Sequence, residues 1–196
     1  MTEPDPRTHR NRLLAGLPES QMGHIAPHLE PVELPLGTVI EAPGELVEQV
    51  SFPASGLGSG VAVGPDGQSA EAGLFGRDGM TGLPVVMGDD RSPHETRVQL
   101  AGTGHHVVAG ALREAMAEGP AVRERFLHFV QFFAAQTSHT ALANARHTIG
   151  EPLARWLPMC HDRVEGEVLD LTHEFLSLMQ GVRASRWPPT SSRGGA

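Results

Sequence analysis

The stretch that decides the fold is residues 105–145, HHVVAGALREAMAEGPAVRERFLHFVQFFAAQTSHTALANA, because the repeat of its apolar residues changes partway along. As far as Val108 the pattern belongs to a strand, and from Ala109 it belongs to helices. Leu112, Ala115 and Met116 share one face of a short helix that Gly119-Pro120 ends. Beyond it Val122, Phe126, Phe129, Phe133, Thr137 and Ala141 recur at spacings of three and four, the stripe of a helix running from Ala121 to about Ala145. Val130 and Phe132 widen that stripe. A helix so long and apolar needs more than one surface to cover it. Packing on its own domain covers one flank, and pairing with the same helix of a second copy covers the other. The stripe is therefore expected to form a homodimer interface.

Upstream the period is two. Val32, Leu34 and Leu36 alternate with polar residues or proline, Thr38 to Glu41 is a short β-type run, and Val50 and Phe52 alternate within Glu48 to Pro53. Gly60 to Val63 and Gln68 to Phe75 flank Gly64-Pro65-Asp66-Gly67, a hairpin signal. Thr96 to Leu100 and His105 to Val108 flank Ala101-Gly102-Thr103-Gly104, which reads as a second hairpin. With 23 glycines and 16 prolines the chain is rich in turns, so many short strands are expected rather than a few long ones. The region from about Glu30 to Val108 therefore reads as an antiparallel barrel or jelly roll. Gly56, Gly58 and Gly60 alternate along it, which suggests a bulge or a close backbone approach.

Before the strands, residues 1–10 read as a disordered leader. Leu13, Leu14 and Leu17 give Asn11 to Leu17 one apolar helical face, and Pro18 opens a second helix from Glu19 to Leu29. After the long helix, His147 to Arg163 is helical in pattern through Ile149, Leu153, Trp156, Leu157 and Cys160, although Gly150, Pro152 and Pro158 interrupt it. Val164 to Leu171 alternates weakly, like a short hairpin. Thr172 to Val182 is a helix with Thr172 as its N-cap, Glu174 in its first turn and Gly181 at its C-terminal turn. Residues 183–196 then lose all periodicity.

A chain of 196 residues is long enough for one core with a small appendage. A single cysteine, Cys160, excludes a disulfide framework, a cysteine-ligated iron–sulfur cluster and a multi-cysteine zinc site. The polar N-terminus lacks an apolar signal segment, and no apolar run approaches the roughly 20 residues that span a bilayer. A soluble cytoplasmic protein with no membrane partner is expected. The net charge of -8 does not exclude DNA, because a local basic element can dock while the rest stays acidic.

The order β-roll, long amphipathic helix, C-terminal helix-turn-helix resembles the Crp/Fnr family of bacterial transcription regulators. Asn11-Arg12-Leu13-Leu14-Ala15-Gly16-Leu17-Pro18 resembles the family's opening helix, and Gly73 to Met80 with Leu83-Pro84 its barrel turn. Leu153 to Leu157 and Leu171 to Leu176 resemble the entry to its winged helix. The resemblance covers about Asn11 to Val182 and implies an α+β fold: an antiparallel β-roll with N-terminal helices, a long dimerisation helix and an incomplete winged helix-turn-helix. The implied organisation is a sensor roll over 11–118, the dimerisation helix over 119–146 and a partial winged helix-turn-helix over 147–182, followed by an aberrant disordered tail over 183–196. It also implies a ligand site at Gly79, Met80, Gly82, Arg91 and Ser92, an unidentified small-molecule effector, and DNA contacts from Thr172, His173 and Arg183.

The chain departs from the family pattern at two places. Cyclic-AMP-binding members carry a carboxylate for the ribose hydroxyl in a Gly-Glu-Leu-Gly turn, and an Arg-Ser pair for the cyclic phosphate. Here the turn reads Gly79-Met80-Thr81-Gly82, with Met80 where the carboxylate belongs, so a cyclic nucleotide is not the expected effector even though Arg91-Ser92 is retained. The second departure concerns the DNA-reading helix, which should begin near Arg183 to Ser185. Pro188-Pro189 stand in its middle and remove N–H donors from a helix that must lie in the major groove. A frameshifted or replaced ending is expected, with sequence-specific DNA reading impaired. The alternative is a dimerising interaction protein that does not bind DNA. Arg183, Arg186 and Arg193 would supply only weak, salt-sensitive phosphate contacts.

Enzyme chemistry finds little support. His24 and His28 are four apart on the second predicted helix, but Pro27 disturbs that turn and no third ligand stands near. His105 and His106 are adjacent on a strand and point to opposite faces, which disfavours a cupin-type metal centre. His128 and His139 fall on the long helix and read as solvated or interfacial. There is no Gly-x-Ser-x-Gly elbow and no phosphate-cradling glycine loop ending in lysine. A regulator with no catalytic residues and no metal is the expectation.

Overall fold

The computed structural model describes residues 10–65 and 69–145. The expected leader, the helix over His147 to Arg163, the weak hairpin after it, the helix-turn-helix and the tail lie outside the described residues, as do Thr172, His173 and Arg183.

The described residues open on a hydrogen-bonding hub. Asn11 Oδ1 accepts from the N–H groups of Leu13 (3.0 Å) and Leu14 (3.2 Å), capping helix α1 (Arg12–Ala15). Its Nδ2 donates to the carbonyls of Pro53 (2.9 Å) and Gly79 (2.7 Å), so one buried amide joins the helix to two distant parts of the chain. Leu13, Leu14 and Leu17 are buried, as their spacing predicts. The second predicted helix is shorter than expected: α2 spans Glu19–Met22, and Ala26–His28 form a separate 3-10 turn. Gly23 and Pro27 break what would have been one rod, since glycine lowers helix propensity and proline has no N–H to donate. His24 and His28 are therefore not neighbours on a helix face, and His24 instead lies 3.4 Å from Glu118.

Among the described residues seven strands follow: β1 (Glu30–Leu34), β2 (Val39–Glu41), β3 (Gln49–Pro53), β4 (Leu57–Val63), β5 (Ser69–Phe75), β6 (Glu95–Leu100) and β7 (Gly102–Val108). They form two antiparallel sheets, β1-β7-β3 and β2-β6-β4-β5, rather than one closed barrel. The first predicted hairpin is present, with β4 and β5 paired out to Val63 and Ser69. The second is not a hairpin. Leu100 pairs with Leu57 in one sheet while Gly102 pairs with Leu34 in the other, so Ala101 is the corner where the chain changes sheets. The corner is possible because Gly102 has no side chain: a Cβ there would collide with the Ser55 carbonyl. The glycines that suggested a loop are strand residues of a sheet switch.

Between β5 and β6 lies a helix that the sequence reading takes as part of a turn. Helix α3 (Leu83–Met87) is bounded by Gly82 (φ 70°) and Gly88 (φ 92°), both in the left-handed region that glycine adopts at little cost. Helix α4 (Ala109–Glu118) buries Leu112, Ala115 and Met116, and the chain turns at Gly119 into α5 (Pro120–Ala145), close to the expected bounds. One hydrophobic core joins the described helices to the roll, with Leu14, Ile25, Val50, Phe52, Met80, Val107, Leu112, Val122 and Phe126 among its most buried members. Within it, the Phe52 and Phe126 rings meet at 5.4 Å and 38°. No helix among the described residues is long and apolar enough to cross a membrane.

Candidate functional site

Of the residues implied as a ligand site, Gly82 and Ser92 meet on one carboxylate, while Met80 is in the core and the Arg91 side chain is exposed. Met80 is 1% exposed and belongs to the core, so its side chain is an apolar anchor where the family pattern asks for an acid. Gly79 is needed for space, because a Cβ there would lie 2.7 Å from the Phe129 ring. Thr81 ties the turn to β3 by a reciprocal pair: its N–H donates to the Ser51 carbonyl (2.9 Å), and its Oγ1 accepts from the Ser51 N–H (2.8 Å). Arg91 and Ser92 point apart. The Arg91 side chain is 62% exposed and donates to the Gly44 carbonyl (2.8 Å), whereas Ser92 is buried.

What Ser92 faces is Glu41, a residue the sequence reading treats only as part of a β run. The Glu41 carboxyl group is buried. One of its oxygens accepts from the Gly82 N–H (2.6 Å), and the other lies 2.8 Å from Ser92 Oγ, which is also 2.8 Å from the His94 carbonyl. An acid supplied by β2 thus satisfies the N–H at the start of α3 and the hydroxyl of the retained Arg-Ser pair. In the sequence Glu41 follows Val39-Ile40 at the end of a short strand, and nothing local marks it as a partner for a turn 41 residues away.

Helix α5 covers the same region. Its buried side carries Val122, Phe126, Phe129 and Phe133, then Gln136 and Thr140. The predicted stripe is therefore correct for its first four members and drifts at the end, where Thr137 is half-buried and Ala141 is exposed. These first four side chains are already covered within a single chain, by the roll and the N-terminal helices. That is a correction to the expected interface, since a helix buries its most apolar stripe on its own core first. The opposite side shows Leu127, Gln131, Ala134, Ser138, Ala141 and Leu142, all exposed, with Phe132 on its flank at 52% exposure. Open grooves of about 490 Å³ and 500 Å³ border this outer side, the first beside Leu17 and Phe132 and the second beside Met116 and Leu127.

On the roll, β5 carries a second buried acid. Glu71 is 2% exposed and neither carboxyl oxygen has a hydrogen-bond partner among the described residues. Burial pushes its pKa well above the usual carboxylate range, because removing the charged form from water is costly. Ser59 and Gln99 are also buried and bond to one another, Gln99 Nε2 donating to Ser59 Oγ at 2.7 Å. Among the described residues, no group of three or more His, Cys, Asp or Glu side chains is placed to hold a metal ion.

No protein-family model matches the sequence, and no curated protein matches it. Solved structures do match in fold. The c-di-GMP-responsive global regulator CLP of Xanthomonas campestris is similar at a TM-score of 0.69 and 15% identity, over 86% of this chain and 87% of that one. FixK2 of Bradyrhizobium japonicum is similar at a TM-score of 0.65 and 14% identity, over 80% of this chain and 79% of that one. A protein from Eubacterium rectale assigned to the crp/fnr family of transcriptional regulators is similar at 0.67 and 15% identity, over 90% and 82%. At such identities the likeness establishes the fold. The chain has the β-roll and long helix of these structures, two of which are named as regulators.

Proposed function

We propose that this chain is a Crp/Fnr-type transcription regulator, without catalytic activity, whose sensing roll does not respond to cyclic nucleotides. The observation that carries this reading is the sealed turn at 79–82. Met80 is in the core, and the Glu41 carboxyl takes up the Gly82 N–H and faces Ser92. A cyclic phosphate brought to those groups would meet a buried acid rather than free donors, and a ribose would find no acceptor at Met80. Any effector of the roll would be a small molecule of other chemistry.

The working unit in this proposal is a homodimer formed through the outer side of α5. Leu127, Gln131, Ala134, Ser138 and Ala141 recur at spacings of four and three, the spacing of a two-helix coiled-coil seam, with Gln131 and Ser138 as its polar members. The expected interface residues Thr137 and Ala141 border or join this seam, while Val122, Phe126, Phe129 and Phe133 support it from beneath. The residues from 147 onward would form the DNA-binding domain, with Thr172, His173 and Arg183 near the DNA. Pro188-Pro189 in the stretch of the reading helix would impair sequence-specific recognition.

Two measurements test the proposal. Isothermal titration with cyclic AMP and with c-di-GMP should give no heat of binding, and micromolar binding of either would refute the sealed-turn reading. In gel shifts on palindromic half-site DNA, weak retention that vanishes with added salt is expected, and tight retention of one sequence over its scrambled control would refute the impaired reading.

A further inference from the structure

Resting on the reading of the roll as a sensing module, we infer that α5 is the roll's resident ligand: Phe133 and Gln136 fill its cleft and latch the module in one state without an effector. The cleft is built from missing side chains. Gly60 of β4 and Gly73 of β5 are cross-strand partners, and together they leave a bare patch of backbone two strands wide. Neither has a positive φ, so their role is space and not a turn. The Phe133 ring lies on this patch: a Cβ on Gly73 would be 2.8 Å from its Cζ, and one on Gly60 would be 3.4 Å away. Next to it, Gly58 makes room for the Phe75 ring.

Beside the ring the contact is polar. Strand β5 is an edge of its sheet, and an edge N–H ordinarily turns to water or to another strand. Here the Leu74 N–H donates to Gln136 Oε1 at 2.9 Å, and the bond is buried. A Cβ on Gly73 would lie 2.6 Å from the same oxygen, so the glycine admits the amide as well as the ring. At this point the helix hydroxyls turn back on their own helix, Thr137 donating to the Phe133 carbonyl (2.9 Å) and Thr140 to that of Gln136 (3.0 Å). Across the roll, Glu41 already occupies Gly82 and Ser92. A molecule entering the cleft must expel an aromatic ring and leave the Leu74 N–H without its partner, so its apparent affinity falls by the fraction of molecules in which α5 has lifted.

The test uses the full chain and reads no DNA binding, so its failure is distinct from failure of the regulator assignment. Phe133→Ala empties the socket, and apolar cavities of about 150 Å³ take up benzene. Benzene should raise the thermal midpoint of this variant by several degrees and leave the wild type unmoved. If Phe133→Ala does not fold, Phe133→Leu serves the same purpose with a smaller rise. Gln136→Leu should speed hydrogen exchange at the Leu74 amide at least tenfold while the amides paired between β4 and β6 keep their wild-type rates. A benzene response in the wild type, or unchanged Leu74 exchange in Gln136→Leu, would overturn the inference.

Discussion

Along α5 the inner side presents Val122, Phe126, Phe129 and Phe133 before changing to Gln136 and Thr140, and all six are buried. The outer side presents Leu127, Gln131, Ala134, Ser138, Ala141 and Leu142, and all six are exposed. The inner side is large and aromatic because it meets concave partners: the Gly60–Gly73 patch, the Gly79 turn and the Phe52 ring. The outer side is mixed, with Leu127, Gln131 and Leu142 beside the small Ala134, Ser138 and Ala141. Apolar residues on both sides of one helix therefore do not mean one function: the packed side is buried in its own chain, and the exposed side is the one proposed for pairing.

The comparison breaks most severely at its inner half. Phe126 is fully buried against Phe52, so Phe126→Ala should cost about 3–5 kcal/mol in urea unfolding, the range for an aromatic removed from a packed core. Asn11→Ala should cost about 2–3 kcal/mol, because a helix cap is lost together with two buried donations to Pro53 and Gly79. Asn11→Asp retains the cap oxygen but sets a buried carboxylate against the Pro53 and Gly79 carbonyls, so at neutral pH it should cost at least as much as Asn11→Ala in the same unfolding measurement.

Glu71 sharpens the account of the strand on which α5 docks. Its folded pKa is raised by burial, so the folded protein keeps a proton that the unfolded chain releases in the ordinary carboxylate range. The stability linked to this group is complete below that range and is lost as pH rises through the raised folded value. Glu71→Gln should therefore be more stable than wild type at neutral pH, and the advantage should shrink toward zero below the ordinary carboxylate range in pH-dependent melts. An advantage that does not change with pH would assign the effect to packing.

Much of this architecture could be read from the residues, and the failures share a cause. The apolar spacing of 122, 126, 129 and 133, the β4–β5 hairpin and the break at Gly119-Pro120 are local signals, and each stands where expected. The corner at Ala101, the helix at Leu83–Met87 and the pairing of Glu41 with Gly82 and Ser92 are long-range arrangements. In each of them a glycine or a buried acid answers to a neighbour far away in sequence. Gly56, Gly58 and Gly60 were legible as a sign of close approach, but the groups that approach (the Leu100–Gly102 backbone at Gly56, the Phe75 ring at Gly58 and the Phe133 ring at Gly60) could be identified only once the sheets and α5 were in position. The same holds for the stripe itself: period alone cannot say whether a core or a second subunit covers it.

Ala134→Glu on the outer side should have the smallest effect on the fold, within about 0.5 kcal/mol, since an exposed helix position tolerates a charge. It is also the most direct test of the division between the two sides of α5, read by sedimentation equilibrium. The account predicts a wild-type mass twice the 20.9 kDa of the chain and a variant mass equal to it, with unchanged circular dichroism. A monomeric wild type, or a variant that remains dimeric, would contradict it.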